Sequence, residues 1–220
     1  MRIMIHACPQ REWYVREYLV PSLLDQGITE DKIIVWVDRN QIGNLAACLA
    51  SFASVADEPG ETWHLQDDVI VCRDFAIRAR EAPEGVVCGF CVKRFEDAVV
   101  FGPTSVRFHW QSTFPCQKIP NEIAGEFVKW IHSEMYRPGV AQYVQTGKKD
   151  DTLFHAFLQE MHPRMVVYNM DPHLVDHVDW LIGGSIINQG RGFVARSCRW
   201  PDEDIVQELQ AEMTRRRVRS

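Results

Sequence analysis

Lys32-Ile33-Ile34-Val35-Trp36-Val37, broken at once by Asp38-Arg39-Asn40, decides how the first half of this chain is read. An almost wholly apolar run rich in β-branched residues predicts a strand covered on both faces, as in parallel sheets. Upstream, Arg2 to Ala7 reads as a strand and Glu12 to Leu24 as an amphipathic helix. Downstream, Leu45 to Val55 has the periodicity of a helix, Thr62 to Leu65 reads as a short strand, and Val69 to Arg80 as a further helix. Strand and helix in alternation imply right-handed crossovers, hence an α/β, Rossmann-like single domain with a mostly parallel central sheet flanked by helices.

The second half is less regular. Val86 to Val92 and Ala98 to Phe101 suggest a strand pair, and Val106 to Pro120 is rich in aromatics and prolines. Helices are expected from Asn121 to Met135, from Asp150 to Met161 and from Asp202 to Arg217, with short strands at Met165 to Tyr168 and Leu174 to Val178. Cys88-Gly89-Phe90-Cys91 has C-x-x-C spacing, but it lies in a strand-like run and has no second ligand pair, so it reads as buried small hydrophobes.

With 220 residues, 46% hydrophobic and 25% charged, the chain suits one sizeable core and is neither disordered nor rich enough in apolar runs to span a bilayer. A net charge of −6 speaks against a whole-surface nucleic-acid binder, although Arg215, Arg216, Arg217 and Arg219 make a basic tail. That tail is either a solvated helix end, where arginine is favourable, or a contact for an acidic partner. Seven scattered cysteines and no cleavable signal pattern point to a reducing, cytoplasmic setting.

In open α/β sheets ligands bind outside the carboxyl ends of the strands. Cys8-Pro9-Gln10-Arg11, Asp38-Arg39-Asn40 and Gln66-Asp67-Asp68 all fall there. Adjacent carboxylates repel, so the last pair either holds a divalent cation or caps the helix expected from Val69. Asp150-Asp151, before a helix, is a candidate general base or again a cap. In Asp171-Pro172-His173-Leu174-Val175-Asp176-His177-Val178-Asp179, a strand puts both histidines on one face, whereas a helix would make them a zinc-like i, i+4 pair; the valines and Pro172 favour the strand. Phe108 to Phe114, with Trp130, could stack on a ligand or pack a core.

Trp63-His64-Leu65-Gln66-Asp67-Asp68-Val69 resembles the acidic signature of GT-A-type glycosyltransferases, in which a hydrophobic strand runs into x-D-D or D-x-D. The resemblance covers about residues 1–188 at the level of pattern, with Gln66 standing where many relatives carry an acid. It implies a GT-A-like domain over 1–200, with 1–82 as the nucleotide-binding half and 83–200 as the acceptor and catalytic half, followed by a C-terminal helix and basic tail over 201–220. It further implies a metal-dependent, inverting transfer of sugar from a nucleotide-sugar donor, foremost a UDP-sugar. Asp68 and His177 would ligate Mn²⁺ or Mg²⁺. Pro9, Arg11, Asp38, Asn44 and Asp67 would contact the nucleotide sugar, and Asp151, or else Asp150, would be the catalytic base. The acceptor is open, and the arginine tail makes a hydroxylated nucleic-acid base one candidate.

Two other readings use the same residues. A metal-dependent phosphohydrolase or nucleotidyltransferase could place Asp and His alike on such a scaffold. A non-catalytic nucleotide or nucleic-acid binding module would keep the acidic pairs only as caps.

Overall fold

The structure is a computed structural model and describes residues 1–90, 104–106, 114–146, 150–170, 172–179, 181–182 and 203–219. The strand β1 (Arg2–Ala7) is central to the first half: β2 (Ile33–Val37) and β3 (Glu61–Gln66) both pair with it in parallel. Beyond β3 the sheet continues through β7 (Cys116–Pro120), β5 (Val87–Cys88), β8 (Val167–Asn169) and β6 (Thr104–Val106). β7 is antiparallel to both neighbours and β6 to its one, so five of the seven strands described run the same way. A second, two-stranded sheet joins β4 (Val69–Val71) to β9 (Val175–His177). The molecule is an α/β domain with a mostly parallel central sheet flanked by helices.

Period-two alternation along the strands splits the core into two layers. Ile3, Ile5 and Ala7 of β1 and Trp63 and Leu65 of β3 face one side. There they meet the helical stretch α1 (Glu12–Tyr14), a π-helical turn (Val15–Leu19) and α2 (Val20–Asp25), together with α4 (Phe75–Glu81). Pro21 has no N–H for the carbonyl of Glu17, which accounts for the widened turn before it. The opposite layer is built by α3 (Asn44–Ala53), α5 (Asn121–Glu134), α6 (Pro138–Thr146) and α7 (Asp150–Met161) around Phe52, Phe127, Phe154 and Phe157. The C-terminal helix α8 (Glu203–Arg219) docks on the first layer through the fully buried Leu209.

Three sequence expectations change. Ile33–Val37 is not a strand covered on both faces; β2 is the sheet's edge, Ile34 is 38% exposed, and among the described strands only β1 pairs with it. Val69 to Arg80 is not one helix, because the β-branched Val69-Ile70-Val71 pairs with β9 and only Phe75–Glu81 turns helical. The aromatic and proline-rich stretch ends in β7, a central strand with buried Gln117 and Lys118. Lys118 is tolerated there because Nζ meets Glu61 Oε2 at 2.6 Å and donates to Pro83 O at 2.5 Å. The expected strand at Ala98 to Phe101, Cys91, residues 107–113 and the side chains of Arg217 and Arg219 lie outside what is described.

Candidate active site

From β1 the chain moves outward to β2 and then returns across β1 to β3, so the sheet reverses its winding at the carboxyl ends of β1 and β3. A crevice opens at such a reversal. Here it is a cavity of about 590 Å³, a size typical of small-molecule sites. Its wall includes Pro9, Arg11, Asp38, Asn44, Asp67, Asp68 and Asp150, so seven of the nine residues singled out from sequence meet around one space. The other two do not line it: His177 sits behind Asp68, and the carboxylate of Asp151 accepts the backbone N–H of Thr152 at 2.7 Å.

The pair Asp67-Asp68 occupies the turn between β3 and β4, not the start of a helix, which removes helix capping as its explanation. A cation is indeed supplied, by the chain itself. Nη1 of the buried Arg11 lies 3.0 Å from Asp67 Oδ1 and 2.6 Å from Asp68 Oδ2. Asp67 Oδ2 accepts the backbone N–H of Cys8 at 2.6 Å, so both oxygens of Asp67 fasten the β1 loop to the β3–β4 turn. Burial and the neighbouring charge of Asp68 raise the Asp67 carboxyl above the usual carboxylate range, against Arg11 and the Cys8 N–H.

Asp68 differs. Burial pushes its carboxyl up, but His177 and Arg11 outweigh that and hold it below the usual range. Asp68 Oδ2 meets His177 Nε2 at 3.3 Å, while Asp68 Oδ1 is buried with no partner among the described residues. Behind His177, Nδ1 lies 3.2 Å from Oδ1 of the fully buried Asp179. Burial works against charge on His177, yet the two carboxylates raise its pKa. Strand geometry, not helical, brings His177 to Asp68: Val69 pairs with His177, and Val178 N donates to Asp68 O at 2.7 Å.

These residues fit a divalent cation in part. A carboxylate oxygen and an imidazole nitrogen about 3 Å apart suit adjacent ligands on one ion, and the orphaned Asp68 Oδ1 adds an available donor. A carboxylate behind the imidazole is the usual outer support of a metal-binding histidine. Among the described residues no three His, Cys, Asp or Glu side chains converge as a closed cage, so water and ligand oxygens would complete the shell.

On the opposite wall Asp150 opens α7. It is buried, and Asn44 Nδ2 at the start of α3 donates to its Oδ1 at 2.8 Å. Burial, then the charge of Asp151, raises the Asp150 carboxyl to about 7. Asp38 caps the turn into α3, accepting Ile42 N at 3.0 Å and Gly43 N at 3.4 Å. Gly43 takes φ +96°, a left-handed value that favours glycine, and so lets α3 begin directly beside β2. Cys8 is no nucleophile, since burial and Asp67 push its thiol up to about 12.

Sequence reading did not single out part of this wall. Trp36, Phe52 and Val144 add apolar side chains to it, beside Phe114 of the aromatic stretch expected to stack or pack, and His6 and His64 line it as well. The two histidines sit on strands far apart in sequence; only the parallel pairing of β1 with β3 brings them together, and nothing in either local pattern announces it.

No protein-family model and no curated protein matches this chain. Among solved structures it is similar to the inositol-1-phosphate CTP transferase from T. maritima, at 12% identity and a TM-score of 0.46, over 97% of this chain and 96% of that one. It is also similar to A197 from STIV, at 16% identity and a TM-score of 0.40, over 80% and 84% of the two chains. A third is mannose-1-phosphate geranyltransferase from Thermus thermophilus, at 12% identity and a TM-score of 0.38, over 77% and 74%. All three are distant.

Proposed function

We propose that this chain is a metal-dependent, inverting glycosyltransferase that moves a sugar from a nucleotide diphosphate sugar, foremost a UDP-sugar, to an acceptor hydroxyl. The observation that carries the reading is the meeting on one cavity of two carboxyls with different partners: Asp68, ion-paired with Arg11 and His177, and Asp150, buried against the amide of Asn44. Pairs of acids whose surroundings drive them apart in this way suit separate electrostatic and acid–base roles.

Asp68 and His177 would hold Mn²⁺ or Mg²⁺, which when bound neutralises the departing diphosphate. Arg11, already between the two strand-end carboxylates, adds positive charge at the same end. Asp150 takes the proton of the acceptor hydroxyl as its oxygen bonds to the sugar's anomeric carbon and the bond to the diphosphate breaks. Asn44 orients that carboxylate, and Trp36, Phe52 and Phe114 contribute apolar wall to the same cavity.

The nearest alternative is nucleotidyl transfer to a sugar phosphate, whose attacking group is already an anion and needs no base. The experiment is a thermal-stabilisation screen of UDP-, GDP- and CMP-sugars with and without Mn²⁺ or Mg²⁺, repeated on Asp68→Ala. Stabilisation by one donor, dependent on metal and on Asp68, is expected; none with any donor and either metal rejects the proposal.

A further inference from the structure

The floor of the cavity holds a chain of polar groups that the proposed chemistry does not use. Ser51 Oγ on α3 donates to Cys48 O at 2.8 Å. A serine on a helix ordinarily bonds back in this way, which leaves its hydroxyl to accept from His6. His6 Nδ1 lies 3.1 Å from Ser51 Oγ, with Nε2 at 3.3 Å. Because His6 Nε2 meets His64 Nδ1 at 3.0 Å, Nδ1 is the nitrogen that carries the hydrogen toward the serine. His6 Nε2 is left as a lone pair, and His64 Nδ1 must carry the hydrogen between the rings.

Each assignment forces the next, and the last falls on His64 Nε2. That atom is then a bare acceptor. It is buried, it has no partner among the described residues, and its residue, 2% exposed, lines the cavity. Burial holds both rings neutral: it lowers His6 to about 4, and burial with the neighbouring His6 lowers His64 well below its ordinary value. Phe52, whose ring centre is 4.5 Å from that of His64, closes the apolar side. Among the described residues no carboxylate on either strand or on α3 is bonded to the two rings to draw a proton onto them.

We propose that Ser51, His6 and His64 form a directed hydrogen-bond relay that fixes His64 as the Nδ1–H tautomer and offers its Nε2 lone pair to an N–H or O–H of the bound molecule. An unpaired buried acceptor is costly to a folded protein, and a ligand that brings the missing donor removes that cost. The site therefore selects a neutral donor beside Phe52: a nucleobase imide N–H or a sugar hydroxyl. A cation is not favoured there, since among the described residues His64 belongs to no group of three or more His, Cys, Asp or Glu side chains that could hold one. The choice of ligand rests on the nucleotide-sugar reading; the tautomer does not.

The test uses the full chain labelled with ¹⁵N-histidine. Long-range proton–nitrogen spectra, with His64 assigned through His64→Phe, report which ring nitrogen is protonated. A neutral Nδ1–H tautomer of His64, constant between pH 5 and pH 8, is expected in the free protein; an Nε2–H tautomer or an imidazolium overturns the proposal without any ligand. Ser51→Ala, a small change that spares the core, should release the tautomer into a mixture; an unchanged spectrum means that Ser51 does not direct the relay.

UDP and UDP-glucose are then added with Mg²⁺. Movement of the Nε2 resonance to lower frequency, and a roughly three- to tenfold weaker Kd in His64→Phe, are expected for one accepted hydrogen bond. N3-methyl-UDP separates the two sources: if it loses the shift the donor is the base, and if it keeps the shift the donor is a hydroxyl. Binding with no change at Nε2 overturns the acceptor role, whereas no binding of any nucleotide overturns the glycosyltransferase reading and leaves the tautomer result standing.

Discussion

His177 Nε2 lies 3.3 Å from Asp68 Oδ2, although the two residues are far apart in sequence and are brought together by the pairing of β4 with β9. Arg11 reaches the same oxygen at 2.6 Å. A metal ion at Asp68 must therefore compete with a guanidinium that belongs to the chain.

Replacing that guanidinium exposes the competition. Arg11→Gln leaves Asp67 and Asp68 without their internal counter-charge, and breaking a buried pair from one side costs about 3–5 kcal/mol. The variant should unfold at a lower temperature in EDTA and recover much of the loss in Mn²⁺, while the parent chain gains little. Differential scanning calorimetry with and without Mn²⁺ measures both. Equal small gains in the two proteins would show that Asp68 holds no metal.

Asp150 makes a paired prediction for rate and pH. As the base it acts only when ionised, so kcat/KM should rise with pH around a midpoint near 7. Asp150→Asn keeps an oxygen to accept from Asn44 but takes no proton, and should cost about 10²- to 10⁴-fold in kcat. A pH-rate profile of the parent and single-turnover rates of the variant are the measurements.

Asp150 also links folding to pH, in a direction opposite to most acids. Its folded pKa lies above its unfolded value, so its favourable contribution is complete below about 4 and is lost as pH rises through 7. Asp150→Asn removes that loss. Urea unfolding across pH 4 to 8 should show the variant gaining stability over the parent toward the upper end, by up to about 4 kcal/mol on the scale of 1.36 kcal/mol per pKa unit. A constant difference across the range would mean that the carboxyl is not strained by burial.

The arginine tail is engaged within the chain at the positions described. Arg216 stacks its guanidinium 3.9 Å from the centre of the Trp13 ring and bonds Glu212 at 2.8 Å, and Arg215 meets Glu212 at 2.9 Å. Arg216→Ala should lower stability by about 1 kcal/mol through the lost ring contact, with kcat and KM unchanged. Thermal unfolding beside steady-state kinetics checks it; unchanged stability with weaker binding of an acidic acceptor would return the tail to a binding role.

Local patterning made the alternating first half legible, because β1, α3 and β3 each carry their own periodicity and turn residues. Strand-end loops are where α/β sheets bind ligands, and that rule alone gathered Pro9, Arg11, Asp38, Asp67 and Asp68. What stayed hidden depends on partners distant in sequence. The apolar run of β2 looks buried because pattern does not tell an edge from a centre, and β7 looks like a loop because its buried lysine is balanced by Glu61, 57 positions away. Asp150 and Asp151 are indistinguishable as neighbours; the first turn of α7 aims one carboxyl at Asn44 and turns the other back to the N–H of Thr152.

The most direct measurement is product analysis with UDP- and GDP-sugars, a panel of hydroxylated acceptors and Mn²⁺. Release of nucleoside diphosphate together with a glycosylated acceptor of inverted anomeric configuration is expected, abolished by EDTA and by Asp68→Ala. Turnover of a nucleoside triphosphate with a sugar 1-phosphate to give pyrophosphate, and no transfer from any nucleotide sugar, contradicts it.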